Sequence, residues 1–133
     1  MTKLNAFLKG NVKQVENVSL KLDRFDEAII LRPLLSREAD KITDQCYKNK
    51  SGKKGKQERV FDAVKYNREI CVASIVFPDL NDADLQDSYE ERGADNLYSA
   101  MFLHGEANQI LEMVTEISGI GEDINDDIEE AKN

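Results

Sequence analysis

The chain has 133 residues, of which 41% are apolar and 33% charged, and its formal net charge is −8. This length fits one domain with a core of its own and is too short for two ordinary domains. No window approaches the roughly 18 uninterrupted apolar residues of a membrane span, and the N-terminus lacks the apolar core of an export signal. A structural zinc site needs about four ligands, and two cysteines and one histidine cannot supply them. We therefore expect free thiols, no metal and no cofactor.

The charge is divided unequally between the two halves of the chain. Residues 1–66 contain 15 Lys/Arg and 9 Asp/Glu, a net +6, whereas residues 67–133 contain 3 and 17, a net −14. Such a division can orient a partner or guide self-association through long-range fields, although two differently solvated faces would produce it as well.

An amphipathic arm is predicted at residues 1–16. Leu4, Phe7 and Leu8 follow helical spacing, and Gly10 interrupts the pattern. The arm either folds back on its own core or contacts a partner, because chain ends are often loose unless they are docked.

A β-hairpin is predicted at residues 17–35. Val18, Leu20 and Leu22 alternate with polar residues, and the run AIIL follows a short polar connection, DRFDE. Pro33 ends the second strand because proline cannot donate a hydrogen bond to a sheet.

A helix and a lysine-rich loop are predicted next. Ser36 provides an N-cap hydroxyl, and Glu38 places an acid in the first turn, where the helix dipole favours it. The helix ends at residues 48–57, where five lysines and two glycines predict a mobile loop. This loop lacks the pattern of a P-loop, and no aromatic residue lies among its lysines, so the sequence argues against nucleotide and nucleic-acid binding.

A central helix is predicted at residues 59–77, which contain no proline or glycine and place Phe61, Val64 and Cys71 on one helical face. The last third, ICVASIVF at residues 70–77, is apolar on every side, so a buried strand remains the alternative there. The helix is favoured because strands usually run about 3 to 10 residues.

The acidic run FPDLNDADLQDSYEERGADNL, residues 77–97, is interpreted as a junction between helices. Asn81 or Asp82 can cap a short helix, which Gly93 ends. No frame of this run supplies the glycine and the acidic ligands of an EF-hand at their required positions, so calcium binding is not expected. The acids fall at caps and on polar helix faces, and His104 has no identifiable nucleophile partner, so no catalytic residue is assigned.

Helical periodicity is clearest in the last third of the chain. A long apolar stripe ends at Gly119, which suits a helix C-cap. The acidic tail, residues 120–133, is predicted to be a weak helix with two isoleucines on one face. The stripe and the two tail positions are Ile110, Leu111, Val114, Ile117, Ile124 and Ile128.

These elements predict a single α+β domain over residues 1–133. It is mostly helical, with a small N-terminal β-hairpin followed by a bundle of about four to five helices. The helical body spans residues 36–119 and includes the lysine-rich loop.

The sequence resembles the XkdN-like family of phage tail assembly chaperones over nearly its full length. The resemblance rests on FPDLNDADLQDSY, on GADNLYSAMFLHGEANQILEMVTEISG and on the terminal EEAKN. The front of the chain, with LNAFLKGNVKQVENV and LRPLLSREADKI, is similar to the family's opening. One departure is the connection DRFDE, which is shorter than the family's hairpin loop and leaves the geometry of that hairpin open.

The resemblance implies a non-enzymatic protein in the cytoplasm of the bacterial host. Its implied role is to bind the phage tape-measure protein and keep it soluble until the tail-tube protein, a second candidate partner, polymerises around it. Two alternatives stay open, which are a structural component of the virion and a small nucleic-acid-binding regulator that uses the lysine-rich loop. Self-association is a further alternative that the sequence leaves undecided.

The candidate contacts with a partner are the apolar positions of the arm, the long helix and the tail. For each of them the alternative is a place in the protein's own core, and short helices gain little from their own packing. The candidate residues are Leu4, Phe7, Leu8, Ile110, Leu111, Val114, Ile117, Ile124 and Ile128.

Overall fold

Residues 3–120 are described by the structure, a computed structural model, and they form five short strands and five α-helices. The α+β, mostly helical fold that the sequence predicts is confirmed. The strands are β1 (Val18–Leu20), β2 (Ile29–Leu31), β3 (Tyr47–Ser51), β4 (Gln57–Phe61) and β5 (Ile75–Phe77). The helices are α1 (Ser36–Gln45), α2 (Ala63–Ser74), α3 (Ala83–Ser88), α4 (Ala94–Met101) and α5 (His104–Ser118).

The predicted N-terminal hairpin is present and forms two strands of a three-stranded antiparallel sheet. β1 pairs with β2, with Val18 opposite Leu31, and β5 pairs with the other edge of β2, so the strand order is β1-β2-β5. Ile29 and Leu31 of β2 are buried, because alternate residues of a strand point to the same face of a sheet. That face meets the helices.

Helix α2 lies at the centre of the helical part and contacts α1, α4 and α5. Ile70 and Cys71 of α2 are almost fully buried. One hydrophobic cluster joins the sheet to these helices, as expected for a single layer of sheet covered by helices. The buried members of the cluster are Leu22, Ile29, Leu31, Leu34, Ile70, Cys71, Leu80, Leu97, Tyr98, Met101, Phe102, Ile110 and Val114.

The prediction of one helix over residues 59–77 is wrong at both ends. The helix begins after Asp62, whose carboxylate accepts the N–H of Lys65 at 3.1 Å and caps the first turn. It ends at Ser74, where the backbone turns into β5 and the serine hydroxyl donates to the carbonyl of Arg32 at 2.5 Å. The alternative of a strand is therefore correct for the last three residues, because pairing with β2 outweighs continuation of the helix.

The prediction of a loop at residues 48–57 is also wrong for half of that segment. β3 and β4 pair antiparallel over five residue pairs, from Tyr47 opposite Phe61 to Ser51 opposite Gln57. A one-turn 3₁₀ segment, Lys53–Gly55, connects them, and both Lys54 and Gly55 have positive φ. The lysines therefore lie on a β-hairpin, which we call the basic hairpin (residues 47–61).

Two helix ends follow the predicted local signals, whereas Gly93 does not end α3, which stops at Ser88, and is instead the N-cap of α4. Asp82 is the N-cap of α3, since its carboxylate accepts the N–H of Leu85 at 2.9 Å, and Gly119 is the αL C-cap of α5. Ser36, predicted to cap α1, is instead its first helical residue. The Glu38 carboxylate instead accepts the N–H of the N-cap residue Leu35 at 3.1 Å.

Helix α5 is held at both ends by residues from the first third of the chain. At its start, Arg24 donates to the buried Glu106 carboxylate at 2.9 Å, and this ion pair lowers the pKa of Glu106. At its end, the N–H of Leu34 donates to the hydroxyl of Ser118 at 2.9 Å. These two contacts fix the position of α5 against the sheet.

Candidate interaction groove

An open groove of about 400 Å³ runs between α2, α4 and α5. Its lining is mostly apolar, and small and aromatic side chains predominate. It is named here the α2/α4/α5 groove, and its apolar lining residues are Val64, Cys71, Tyr98, Phe102, Ala107 and Leu111.

The helical period of α2 and α5 builds the two long walls. Val64, Arg68 and Cys71 recur at intervals of four and three residues along α2, so their side chains lie on one face. Ala107 and Leu111 recur in the same way along α5. The groove therefore follows the helix axes, which is a shape suited to an elongated peptide.

The floor of the groove is uncharged at neutral pH. Tyr98 and Cys71 form part of this floor, and burial raises the pKa of both groups, that of Cys71 to about 11. A thiol whose pKa is raised by an apolar environment is a poor nucleophile. These two residues therefore provide a neutral surface for packing.

Polar side chains also line the walls of the groove: Asn67, Arg68, Ser99, His104 and Asn108. Arg68 stands out among them. Its Nε atom is buried and has no hydrogen-bond partner among residues 3–120. A buried N–H without a partner costs free energy, on the order of 1–3 kcal/mol. A carbonyl or carboxylate oxygen of a bound peptide would remove this cost.

A pair of carboxyl groups lies beside the groove, at the contact between α2 and α4. Glu69 is partly buried next to Asp95, and burial together with a hydrogen bond to Asp95 raises the pKa of Glu69 to about 7. Two carboxylates can share a hydrogen bond only if one of them is protonated. The pair therefore holds a proton at mildly acidic pH.

This pair should give the stability of the protein a pH dependence of defined sign. The Glu69 carboxyl binds its proton more tightly in the folded state, with a pKa of about 7 against an ordinary value near 4.5, so its contribution falls as pH rises from about 4.5 to 7. Glu69→Gln removes this pH dependence. The unfolding free energy of the variant relative to that of the wild type should therefore rise by about 1–2 kcal/mol from pH 5 to pH 8. Urea unfolding at both pH values measures this difference.

Glu38→Gln is the control, because the pKa of Glu38 is shifted in the opposite direction to that of Glu69. Arg32 and the N–H of Leu35 lower the pKa of Glu38 to about 2, so its contribution is present above about pH 4.5 and is lost as the pH falls below that value. This variant should therefore change stability equally at pH 5 and pH 8. A Glu69→Gln variant with the same flat profile would contradict the proposed proton sharing.

The family of the protein follows from comparison of its sequence with known proteins. The profile of the family described as "Phage XkdN-like tail assembly chaperone protein" matches residues 4–132. The chain belongs to this family. The phage-like element PBSX protein XkdN of Bacillus subtilis (strain 168) is 26% identical over 140 residues, which cover 98% of this chain and 93% of XkdN.

The fold of this chaperone family member is also similar to one that has been solved by crystallography. The crystal structure of the protein yqbn superimposes with a TM-score of 0.69 and covers 90% of this chain and 98% of that chain. At 17% identity this likeness concerns the fold alone. The family match confirms the resemblance that the sequence motifs indicate.

Only one of the predicted contact residues of α5 lines the groove of this chaperone. Leu111 does so, whereas Ile110 and Val114 have no exposed surface and Ile117 packs against the core. Of the two interpretations of this stripe, the burial supports the intramolecular core. Ile110 and Val114 cannot touch a partner unless the fold opens.

The arm, by contrast, is exposed. The structure shows short 3₁₀ segments, Lys3–Phe7 and Lys9–Asn11, in place of a regular helix. The side chains of Leu4 and Phe7 are 70% and 78% exposed, and Leu8 is 49% exposed. None of them joins the hydrophobic cluster. The other two predicted contacts, Ile124 and Ile128, lie outside the described residues.

The groove residues of α2 and α4 were missed by sequence reasoning. Val64 was predicted to share a helical face with Cys71, yet Cys71 is buried and 74% of the surface of Val64 is exposed. Periodicity identifies the apolar face of a helix but not how much of that face its neighbours cover. Within residues 3–120 there is no cluster of three His, Cys, Asp or Glu side chains suited to a metal, and no helix with the length and apolarity to cross a membrane.

Proposed function

We propose that this protein binds the phage tape-measure protein and keeps it soluble in the cytoplasm of the bacterial host. In this role it acts without a catalytic step and without a cofactor. The chaperone dissociates from the tape-measure protein when the tail-tube protein, a second candidate partner, assembles around it. Membership of the tail assembly chaperone family supports this proposal.

The observation that carries the proposal is the α2/α4/α5 groove. A tape-measure protein is expected to be long and helical, with apolar stripes that need cover before assembly. A groove of about 400 Å³ receives a few apolar side chains from one face of such a helix. Arg68 would then pair with an oxygen of the bound segment. So small a contact is weak, which suits a partner that must be released.

The exposed arm supplies a second proposed contact. Leu4, Phe7 and Leu8 present apolar surface that the protein's own core does not use. Once one of these two weak contacts has formed, it raises the effective concentration of the partner at the other. The arm and the groove together can therefore hold a long helix that neither holds alone.

Co-expression tests the proposal. The tape-measure protein produced with this chain should gain soluble yield, and the two proteins should co-purify through a tag on either one. The matched control is the tape measure co-expressed with an unrelated acidic protein of the same size. If neither the gain in soluble yield nor the co-purification is observed, the proposed function is wrong.

Mass spectrometry of purified phage particles separates this role from that of a structural virion component. A chaperone that is released during assembly should be absent from the particles or far below one copy per particle. A stoichiometric amount would favour the structural role instead.

A further inference from the structure

The basic hairpin carries a concentrated positive charge that is open to solvent. Residues 47–61 contain six Lys/Arg and one Glu, a net +5. None of the ion pairs within residues 3–120 includes a lysine or an arginine of the hairpin. The side chains of both strands are exposed except that of Val60, which is half-buried. Both faces of the hairpin can therefore meet a ligand.

The antiparallel register of β3 and β4 sorts the side chains of the hairpin into two faces. Tyr47 lies directly opposite Phe61, so their side chains share a face, and Arg59 joins them because it is two residues from Phe61. Lys48 and Lys50 alternate with these residues and lie on the other face. The turn between the strands adds three more lysines. One face is therefore aromatic, and its positive charge comes from Arg59 and from the adjacent turn.

Ring contacts order the aromatic face. The rings of Tyr47 and Phe61 lie edge to face with their centroids 5.5 Å apart, and the Arg59 guanidinium lies 4.6 Å from the centre of the Tyr47 ring. Tyr47 and Phe61 remain 40% and 39% exposed. In the sequence these rings lie outside the run of lysines, but strand pairing brings them together at the base of the hairpin. The face therefore offers exposed rings beside a positive charge.

This combination of charge and exposed rings matches single-stranded nucleic acid. Lys and Arg bind its phosphates, and its unpaired bases stack on aromatic side chains whatever their sequence. An acidic peptide could pair with the lysines, but its carboxylates would not use the rings. The bases of a duplex are already stacked on each other. We propose that the basic hairpin binds single-stranded nucleic acid, with phosphates on the turn lysines and Arg59 and bases against Tyr47 and Phe61.

The acidic body of the protein limits the strength of this binding without preventing it. The net charge of the chain is −8, but exposed charges act over only about 8 Å at physiological salt. Within that distance of the turn, the charge of the hairpin itself dominates. The binding should therefore be weak, independent of base sequence and strongly dependent on salt.

Fluorescence anisotropy with the purified full chain tests the proposal. Labelled oligo-dT and oligo-U of about 12 nucleotides serve as the DNA and RNA probes. At low salt at least one of them should bind with a Kd on the order of 1–100 µM, and the difference between them identifies the preferred nucleic acid. Duplex DNA of the same length and poly-glutamate should bind more weakly. If neither single strand binds, or if the duplex or poly-glutamate binds as tightly, the proposal is wrong.

Salt titration of three-lysine variants tests the phosphate contacts. Lys53→Gln/Lys54→Gln/Lys56→Gln should lower the slope of log K against log salt concentration by about 2, because three phosphate contacts are lost. The matched control, Lys3→Gln/Lys9→Gln/Lys13→Gln, removes the same charge from the arm and should leave the slope unchanged. Equal loss of slope in the two variants would mean that net charge, and not the hairpin, governs the binding.

A substitution of Tyr47 tests the stacking contact. Tyr47→Leu should weaken binding at least about fivefold without changing the salt slope, because it removes a ring but no charge. Tyr47→Phe retains the ring and should bind as the wild type does. Tyr89→Leu is the matched control, since Tyr89 is 37% exposed and lies outside the hairpin. Circular dichroism establishes that each variant is folded. Equal binding by Tyr47→Leu and Tyr47→Phe would contradict the proposed stacking.

The same assay separates this site from the proposed contact with the tape-measure protein. No residue of the basic hairpin lines the α2/α4/α5 groove, so Leu111→Ala should leave nucleic-acid affinity within about twofold of the wild type. A larger loss would place the nucleic acid in the groove and overturn the assignment to the hairpin. These measurements contain no tape-measure protein, so a negative result leaves the proposed chaperone function unaffected.

Discussion

Replacing Ile110 by alanine is expected to lower the unfolding free energy by about 3–4 kcal/mol and the melting temperature by about 10 °C or more. Ile110 has no exposed surface and lies in the cluster that joins the helices to the sheet. The substitution removes three buried carbons and leaves a cavity that tightly packed neighbours fill poorly. Urea and thermal unfolding, followed by circular dichroism, measure the effect.

The adjacent residue is the matched control. Leu111 lines the groove and is only partly buried, so Leu111→Ala should cost about 1 kcal/mol or less in stability. Its main effect should instead be weaker binding of the tape-measure protein. Equal destabilisation by the two variants would mean that the groove wall is part of the core and not a binding surface.

A charge placed in the groove is expected to weaken the proposed binding of the tape-measure protein strongly without unfolding the chaperone. Val64 is 74% exposed in the free protein, so Val64→Glu should change stability by less than about 0.5 kcal/mol. In the complex, the same carboxylate would be buried against apolar side chains, and affinity should fall by about 100-fold. Biolayer interferometry with a purified tape-measure fragment measures this change.

Gln109→Glu adds the same charge at an exposed position of α5 that does not line the groove. It should leave the affinity within about twofold of the wild type, since exposed charges are screened by salt. A similar loss of binding in both variants would indicate that net charge, and not the groove, governs the interaction. A stable Val64→Glu protein that binds as well as the wild type would place the interaction elsewhere.

Local signals in the sequence predicted the elements whose causes are local. The hairpin of β1 and β2 follows from alternation and from Pro33, and the ends of α3 and α5 follow from Asp82 and Gly119. In each case the deciding atoms lie within a few residues of each other. The family motifs likewise indicated a tail assembly chaperone, and the family match confirms this.

The strands β4 and β5 depended on pairing with other strands, and for β5 the partner is distant in sequence. β5 joins β2, more than 40 residues earlier, and no glycine or proline separates it from α2. β4 is stabilised by pairing with β3 across a lysine-rich turn whose composition alone indicates a loop. Strand propensity is set largely by such neighbours, so a pattern confined to one segment cannot reveal them.

The groove was beyond prediction for a related reason. Its walls come from α2, α4 and α5, and periodicity assigned their apolar faces without showing where neighbouring helices leave a gap. Ile110 and Leu111 are adjacent and both apolar, yet one is core and the other lines the groove. Only the packing of three helices distinguishes them.

The two contacts that hold α5 also constrain the order in which the protein folds. Arg24 and Glu106 are 82 residues apart, and Leu34 and Ser118 are 84 residues apart. A ribosome adds about 5–20 residues per second, so the sheet emerges several seconds before the helix that covers it. During that interval Ile70 of α2 lacks the neighbours that α5 provides. The hydrophobic core of the nascent chain is therefore incomplete until its last helix has been synthesised.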